Sequence, residues 1–462
     1  MNLKRNLKRV FIAVLVLLLS YAIYYCWISF PVGTAYGAKV LCSSIFVSGR
    51  NEQDIRSQEL NFTPLTFATY EVNNSDSSVT CSLFGFANRK AIYRKGLGAT
   101  VVNELSEKQI RAQRFRLAAK ATFNTDTIFW PLGDKIQDGF PINIDSVQLA
   151  KAVEKLFIES DTLNPNRTRA LIVVYDGKIV IERYGGGFTK DMPLTGWSMS
   201  KSITSAIIGV LVKQNKLVID NPAPVPEWKE PDDPRHPITI RQLLQQTSGL
   251  EFEEVYSKSS HATRMICQKG DMAAYSASLP LIHPPGSVFH YSSGNTNILS
   301  RIIRHTVGNN YHAFPYEQLF HKLGMYSVVF EPDASGTFVG SSFCYATARD
   351  WARFGLLYLN NGEFNNEQIL PGNWVKESVI SFAAAEKGQY GFQWWLNAGE
   401  KNNPENRWFP LLPTDMFFAD GFEGQNLFIV PSKKLIVVRL GLTRKRQYGE
   451  EEFLKAVIQS IR

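Results

Sequence analysis

The segment Ser198-Met199-Ser200-Lys201 places a hydroxyl and an amine three residues apart. If the segment is helical, the two side chains lie on one face, one turn from each other. The amine could then take the hydroxyl proton, which makes Ser198 a candidate nucleophile and Lys201 its base. The same spacing also occurs by chance in long chains. The alternative is that both residues only cap the first turn of a buried helix.

The residues around this segment predict a helix preceded by a β-hairpin. Apolar residues recur at helical spacing after the serine, at Ile203, Ile207, Val210 and Leu211. Upstream, the β-branched runs 170–175 and 178–183 flank Asp176-Gly177, which is a strong hairpin signal. The nucleophile would therefore lie at a helix N-terminus, where the helix dipole favours developing negative charge.

Acyl transfer by a Ser–Lys pair also needs a proton donor for the leaving group and an oxyanion hole. Tyr291, which begins a polar loop after Pro284-Pro285-Gly286, is the best donor candidate, although it could merely anchor that loop. One oxyanion donor is the Ser198 backbone N–H. The glycine-containing run Ala419–Gln425 suits the second donor, because substrate must approach a strand edge closely there; an ordinary turn is the alternative.

The order of elements predicts an α/β fold with an antiparallel sheet flanked by helices. A second hairpin is predicted near the C-terminus, with 426–430 and 434–440 around Pro431. An amphipathic stretch, Glu451 to Ile461, follows it. A sheet built from both ends of the domain would therefore carry helices on its faces, with a mostly helical middle segment.

The N-terminal residues predict a membrane anchor. Residues Val10 to Phe30 are almost unbroken apolar and aromatic, long enough to cross a bilayer. Basic residues precede them at positions 4, 5, 8 and 9, so the positive-inside rule puts the N-terminus in the cytoplasm. A signal peptide cleaved near Ala35-Tyr36-Gly37 is the alternative. We expect three parts: a tail and anchor (1–30), an extracytoplasmic extension (31–140) and a catalytic domain (141–462) in the periplasm, held by the inner membrane.

Composition and residue spacing argue against several other classes of protein. The net charge of +8 over 462 residues brings no nucleic-acid-binding motif with it, and the seven histidines show no metal-ligand spacing. We therefore expect no metal, no cofactor and no nucleic-acid partner. An α/β-hydrolase is disfavoured because Gly196-Trp-Ser-Met-Ser200 lacks the second glycine of that motif, and no histidine follows His321.

Two features of the extension are also predicted. Ser43–Val47 and Ala91–Arg94 read as short strands. Cys42 and Cys81 could pair in an oxidising compartment, although sequence alone cannot decide it.

Several motifs together resemble the serine β-lactamase and penicillin-recognising hydrolase superfamily. They are Gly196–Ser202, Ile238–Leu250 and Tyr291-Ser-Ser293, in the family's order. Ala346–Gly355 and the Ala-x-Gly-x-x-Gly-Gln run at 419–425 resemble its class C-like branch, which includes 6-aminohexanoate-dimer hydrolase and related esterases. The likeness covers roughly residue 140 to the C-terminus.

The resemblance implies an antiparallel α/β domain plus an all-α subdomain with the site between them. It implies Ser198 as acylated nucleophile, Lys201 as general base and Tyr291 as proton shuttle. The family's Lys-Thr-Gly motif is replaced by Ala419-Asp420-Gly421, so the Phe422 N–H would be the second oxyanion donor.

These departures from the family pattern indicate the substrate. The missing lysine argues against β-lactams and D-Ala peptides, and Ser293 replaces an asparagine, so a neutral ester or linear amide is expected. Candidate substrate-binding residues are Trp197, Ser293, Gly421 and Tyr390, with Trp394 and Trp395 equally explicable as core aromatics. A β-lactamase, a D-Ala peptidase and a non-catalytic cell-envelope protein are the alternatives.

Overall fold

The computed structural model describes residues 2–119, 121–137, 139, 141–159, 161–444 and 448–462. The helices are α1 Asn2–Phe46, α2 Glu52–Gln58, α3 Glu107–Ala112, α4 Ser146–Phe157, α5 Ser200–Lys213, α6 Ile240–Leu244, α7 His261–Gln268, α8 Met272–Ala277, α9 Ser293–Val307, α10 Ala348–Leu359, α11 Trp374–Ser378 and α12 Glu450–Gln459. The strands are β1 Ala68–Asn73, β2 Ser78–Leu83, β3 Phe86–Arg94, β4 Gly98–Val102, β5 Thr168–Tyr175, β6 Lys178–Tyr184, β7 Leu194–Thr195, β8 Val329–Phe330, β9 Cys344–Ala346, β10 Glu363–Phe364, β11 Glu367–Gln368, β12 Trp395–Leu396, β13 Phe417–Gly421, β14 Gln425–Val430 and β15 Leu435–Gly441.

The central sheet joins strands from both ends of the region after residue 140, as predicted. Its strand order is β12-β13-β14-β15-β5-β6, and each neighbouring pair is antiparallel. The β5–β6 hairpin turns at Asp176-Gly177, and both residues have positive φ. The β14–β15 hairpin also forms. The mixed α/β fold with antiparallel sheets is therefore confirmed.

Helices cover both faces of this sheet. One face packs against α5 and α10 in the main core, which includes Ile203 and Trp351. The other packs against α4 and α12, where Leu149 and Leu454 lie buried. The chain between β7 and β8 carries α5 to α9, the helical side of the site. The boundary expected at residue 140 falls on a residue outside the described ranges.

Helix α1 continues well past the apolar run that predicts the anchor. Residues 4 to 25 are exposed, whereas residues 37 to 44 are buried against the antiparallel sheet β1-β2-β3-β4. The strand predicted at Ser43–Val47 is wrong, because the helix extends to Phe46; the strand predicted at Ala91–Arg94 is confirmed within β3. Residues 4–46 are long and apolar enough to cross a membrane by length and composition. Cys42 and Cys81 are buried free thiols.

The buried end of α1 also contacts the catalytic domain. Lys39 forms an ion pair with Glu331, and both side chains are almost completely buried. The Ser43 hydroxyl donates to the same carboxylate at 3.0 Å. Tyr36 stacks on Trp197, with ring centroids 6.2 Å apart and an interplanar angle of 8°. Helix α1 therefore reaches the residue that precedes the candidate nucleophile.

Candidate active site

Ser198 lies in a tight turn that leads directly into α5. Residues Trp197–Met199 form a single 3₁₀ turn, and α5 begins at Ser200. The Ser200 hydroxyl fixes this turn, because it donates to the Trp197 carbonyl at 2.6 Å and accepts from the Cys344 N–H at 3.0 Å. Trp197 has a φ of 46°, an unfavourable value for a bulky residue. The half-buried Ser198 is thus presented at the start of the helix, as predicted from its position in the sequence.

The Lys201 amine is the centre of the polar contacts. Its side chain is 1% exposed, and Nζ lies 3.0 Å from Ser198 Oγ, 3.0 Å from Ser293 Oγ and 3.1 Å from the Ser341 carbonyl oxygen. A protonated amine would donate to all three oxygens. A neutral amine keeps two N–H groups for Ser293 and Ser341, and its lone pair then faces the Ser198 hydroxyl. The three contacts therefore suit a base that accepts a proton from Ser198.

Two pKa shifts separate the roles of the lysine and the tyrosine. Burial lowers the pKa of Lys201 to about 8, and the Glu254 carboxylate partly opposes that change. Burial raises the pKa of Tyr291 well above its usual value. Near neutral pH the amine is therefore partly deprotonated while the phenol keeps its proton. The lysine is the better base, and the tyrosine is the better proton donor or relay.

Tyr291 lies over Lys201 and is held by its neighbours along the chain. Lys201 Nζ is 4.7 Å from the centre of the phenol ring. Gln246 fixes both sides of the tyrosine, because its carbonyl accepts from the His290 N–H at 2.8 Å and its Oε1 accepts from the Ser292 N–H at 3.1 Å. The Trp395 ring stacks behind the phenol at 5.2 Å. Ser198, Lys201 and Tyr291 are thus brought together.

A carboxylate that sequence reasoning missed completes the polar network. The Ser293 hydroxyl donates to Glu254 Oε1 at 2.5 Å, and the Ser293 N–H donates to Oε2 at 2.8 Å. The Tyr256 hydroxyl donates to the same carboxylate at 2.6 Å. Ser293 therefore links Lys201 to Glu254. The sequence signal was weak, since Glu254 and Tyr256 belong to a loop without periodic pattern.

The glycine run predicted for the oxyanion hole lies beside the nucleophile turn. A Cβ on Gly421 would come within 2.2 Å of the Gly196 carbonyl oxygen, so only glycine fits this approach of β13. Phe422 follows, 36% exposed, with its ring 5.7 Å from Trp197 and 5.9 Å from Tyr256. Trp197, Phe422 and Tyr256 therefore form one group of aromatic rings next to the nucleophile turn.

The remaining predicted residues occupy different depths. Tyr390 is 1% exposed and packs edge-on against Tyr291, so it supports the phenol rather than presenting a surface to substrate. Trp394 is fully buried in the core, whereas Trp395 contacts Tyr291. Within the described residues, no group of three or more His, Cys, Asp or Glu side chains could hold a metal ion.

Comparisons with known proteins identify the family of the chain. The Beta-lactamase family model matches residues 167–456. The 6-aminohexanoate-dimer hydrolase of Paenarthrobacter ureafaciens is 25% identical over 307 residues, covering 59% of this chain and 72% of the relative.

Solved structures share the fold. One from Bacillus anthracis, assigned as a 6-aminohexanoate-dimer hydrolase, has a TM-score of 0.56 at 23% identity and covers 75% of this chain and 90% of its own. A penicillin-binding protein homologue from Caulobacter crescentus has a TM-score of 0.53 at 15% identity, covering 71% and 100%. The family match spans more than half of the sequence and contains the Ser198–Lys201 segment, so the chain belongs to the beta-lactamase family of serine hydrolases.

Proposed function

We propose that this protein is a membrane-anchored hydrolase that cleaves an ester or a linear amide through an acyl-enzyme on Ser198. The observation that carries the proposal is the contact of the buried Lys201 amine with the Ser198 hydroxyl at 3.0 Å, beneath the Tyr291 ring. A nucleophile, a base of lowered pKa and a protonated phenol are the groups that acyl transfer requires.

In this mechanism Lys201 takes the proton from Ser198 as the serine oxygen attacks the substrate carbonyl. The negative charge on the carbonyl oxygen is stabilised by the backbone N–H groups of Ser198 and Phe422. Tyr291 relays the proton to the leaving alcohol or amine, whose bond to the carbonyl carbon breaks. A water molecule then attacks the acyl ester, and the same groups return the proton to Ser198.

The residues near the oxyanion strand support a neutral substrate. The sequence at this strand is Ala419-Asp420-Gly421, and it supplies no cationic side chain for a substrate carboxylate. Ser293 binds Lys201 and Glu254, which commits its hydroxyl to the proton network. The curated relative is named a 6-aminohexanoate-dimer hydrolase, which supports a linear amide as the bond that is cleaved; it does not bear on the charge, because 6-aminohexanoate is itself a carboxylate.

The membrane part of the proposal rests on α1. Its apolar run from Val10 to Phe30, which is exposed as far as residue 25, spans about 30 Å at about 1.5 Å per residue, the thickness of a bilayer core. With the basic residues at its start in the cytoplasm, the catalytic domain lies on the extracytoplasmic, periplasmic side.

Covalent labelling tests the nucleophile. We expect a fluorophosphonate probe to label the full chain, and we expect Ser198→Ala to abolish labelling and ester hydrolysis. Ser278→Ala, an exposed serine outside the cleft, is the matched control and keeps both. Labelling that persists in Ser198→Ala would overturn the assignment.

A substrate panel tests the acyl class. We expect p-nitrophenyl esters to turn over, with short linear amides slower and a chromogenic cephalosporin cleaved poorly. Because no lysine is available on the oxyanion strand to hold a carboxylate, rapid cephalosporin cleavage would contradict the substrate argument and favour a β-lactamase.

A further inference from the structure

An exposed aromatic patch lies where α1 would leave the membrane. We name it the aromatic collar; its members are Phe30, Phe67, Phe84 and Phe86. Phe67, Phe84 and Phe86 are 60%, 62% and 71% exposed. Exposed single aromatics need no explanation, but Phe84 is in ring contact with both Phe30 and Phe67, and Phe86 starts β3 two residues after Phe84. Contiguous exposed apolar patches mark surfaces that bind a protein, a ligand or a membrane.

The collar is continuous with the apolar surface of α1. The rings of Phe30 and Phe84 are 6.1 Å apart, and those of Phe84 and Phe67 are also 6.1 Å apart. Phe84 lies in the β2–β3 turn, where Phe84 and Gly85 have φ values of 52° and 76°. Residues 4 to 25 of α1 are exposed, and the half-buried Phe30 lies five residues further along the same helix. The collar thus lies beside the end of the predicted span.

We propose that the aromatic collar is a second membrane contact, which enters the interfacial layer of the extracytoplasmic leaflet beside α1. The inference rests on the proposed anchoring by α1. A lipid surface fits because the patch extends the surface of the span itself and because phenylalanine is among the residues with which interfacial segments enter the boundary between headgroups and acyl chains. The hairpin tip would bury its rings among acyl chains and headgroups instead of in water.

This second contact would fix the height of the catalytic cleft. A helix alone permits rotation about its axis and tilting, whereas two contacts oppose both motions. From Phe30 to Tyr36 α1 rises about 9 Å, and Tyr36 stacks on Trp197 beside Ser198. The nucleophile would therefore work close to the headgroup layer rather than at a variable distance from it.

Depth measurement by nitroxide labels tests the proposal on the full chain in phosphatidylethanolamine–phosphatidylglycerol liposomes. The background is Cys26→Ser, because the other four cysteines are buried. Labels are placed singly at Phe86→Cys on the tip, at Val16→Cys on α1 and at Val218→Cys. Val218 is an exposed apolar residue beyond the C-terminal end of α5, about 20 Å of helix away from the Ser198 end.

We expect the nitroxides at positions 86 and 16 to be relaxed more strongly by oxygen dissolved in the membrane than by a water-soluble nickel chelate. The label at 218 should show the reverse. A membrane-facing label at 16 with a water-facing label at 86 would overturn the collar and leave the anchor standing. Water-facing labels at both positions would reject the anchor and the collar together. Shielding of position 86 from both reagents would mean that protein covers the patch, which also overturns the proposal.

Discussion

At Lys201 the balance between burial and one nearby carboxylate sets the working pH. The amine is a base only when neutral, so below its pKa of about 8 the proton blocks acceptance from Ser198. The rate of ester hydrolysis should therefore rise as the pH increases through about 8 and then level off. The acylation rate measured before the steady state at a series of pH values gives this rise, the rising limb of the pH–rate profile, directly.

The Glu254 carboxylate should shift that limb in a defined direction. Its negative charge favours the ammonium form of Lys201, so Glu254→Gln should lower the pKa of the lysine and move the rising limb to lower pH. The neighbouring Glu253 pairs with Lys258 on the surface, which makes Glu253→Gln a matched control without a shift. A limb that moves to higher pH in Glu254→Gln, or stays in place, would contradict the network described for Ser293.

Strand β13 can approach the nucleophile turn closely only because Gly421 has no side chain. Gly421→Ala would bring a Cβ against the Gly196 carbonyl and displace the end of β13, together with the Phe422 N–H that directly follows it. Loss of one oxyanion donor lowers kcat by roughly 100-fold or more, so we expect a loss of that order for p-nitrophenyl ester hydrolysis.

Gly186→Ala is the control for this variant, because a Cβ there meets nothing within 4 Å. Thermal unfolding of both variants separates a displaced strand from a misfolded domain. Unchanged kcat in Gly421→Ala would show that β13 does not supply the oxyanion donor.

Local signals explain which elements were predictable from sequence. The β5–β6 hairpin followed from Asp176-Gly177 between β-branched runs, and α5 followed from apolar spacing, because both depend on neighbours in the chain. Ser198 and Lys201 were predicted from their three-residue spacing and Tyr291 from its place in a polar loop, and the structure brings the three side chains together. Tertiary contacts decide the rest. Ser43–Val47 has β-branched and aromatic residues, yet residues 43–46 are helical because α1 packs on β1–β4.

The Glu254 contact was beyond sequence reasoning for a related reason. Ser293 opens α9, and Glu254 lies in an irregular loop 39 residues earlier. Nothing in local periodicity brings a loop carboxylate to a helix N-terminus; only the packed fold does. Tyr390 shows the opposite case. The sequence predicted it as a substrate-binding residue, but the fold buries it behind Tyr291.

On the scale of the whole molecule, α1 belongs to two environments at once. Its first half is exposed and mostly apolar. Its second half is largely buried, and Tyr36 in that half stacks on Trp197 of the candidate site. The exposed apolar segment and the segment that packs on the catalytic domain are therefore parts of one helix, α1, rather than units joined by a flexible linker. Buried polar contacts along α1 should then contribute to the stability of the domain.

The Lys39–Glu331 pair is the sharpest test of that coupling. Lys39→Met keeps the length of the side chain but leaves the fully buried Glu331 without its cation. Breaking a buried pair in this way costs about 3–5 kcal/mol, so thermal unfolding of the full chain in detergent should occur several degrees lower. The double variant Lys39→Met/Glu331→Gln leaves no lone charge and should recover part of the loss. Lys434→Ala removes an exposed pair with Asp176 and should leave the unfolding temperature unchanged. Unfolding of Lys39→Met at the temperature of the unmodified chain would mean that the catalytic domain is stable independently of α1.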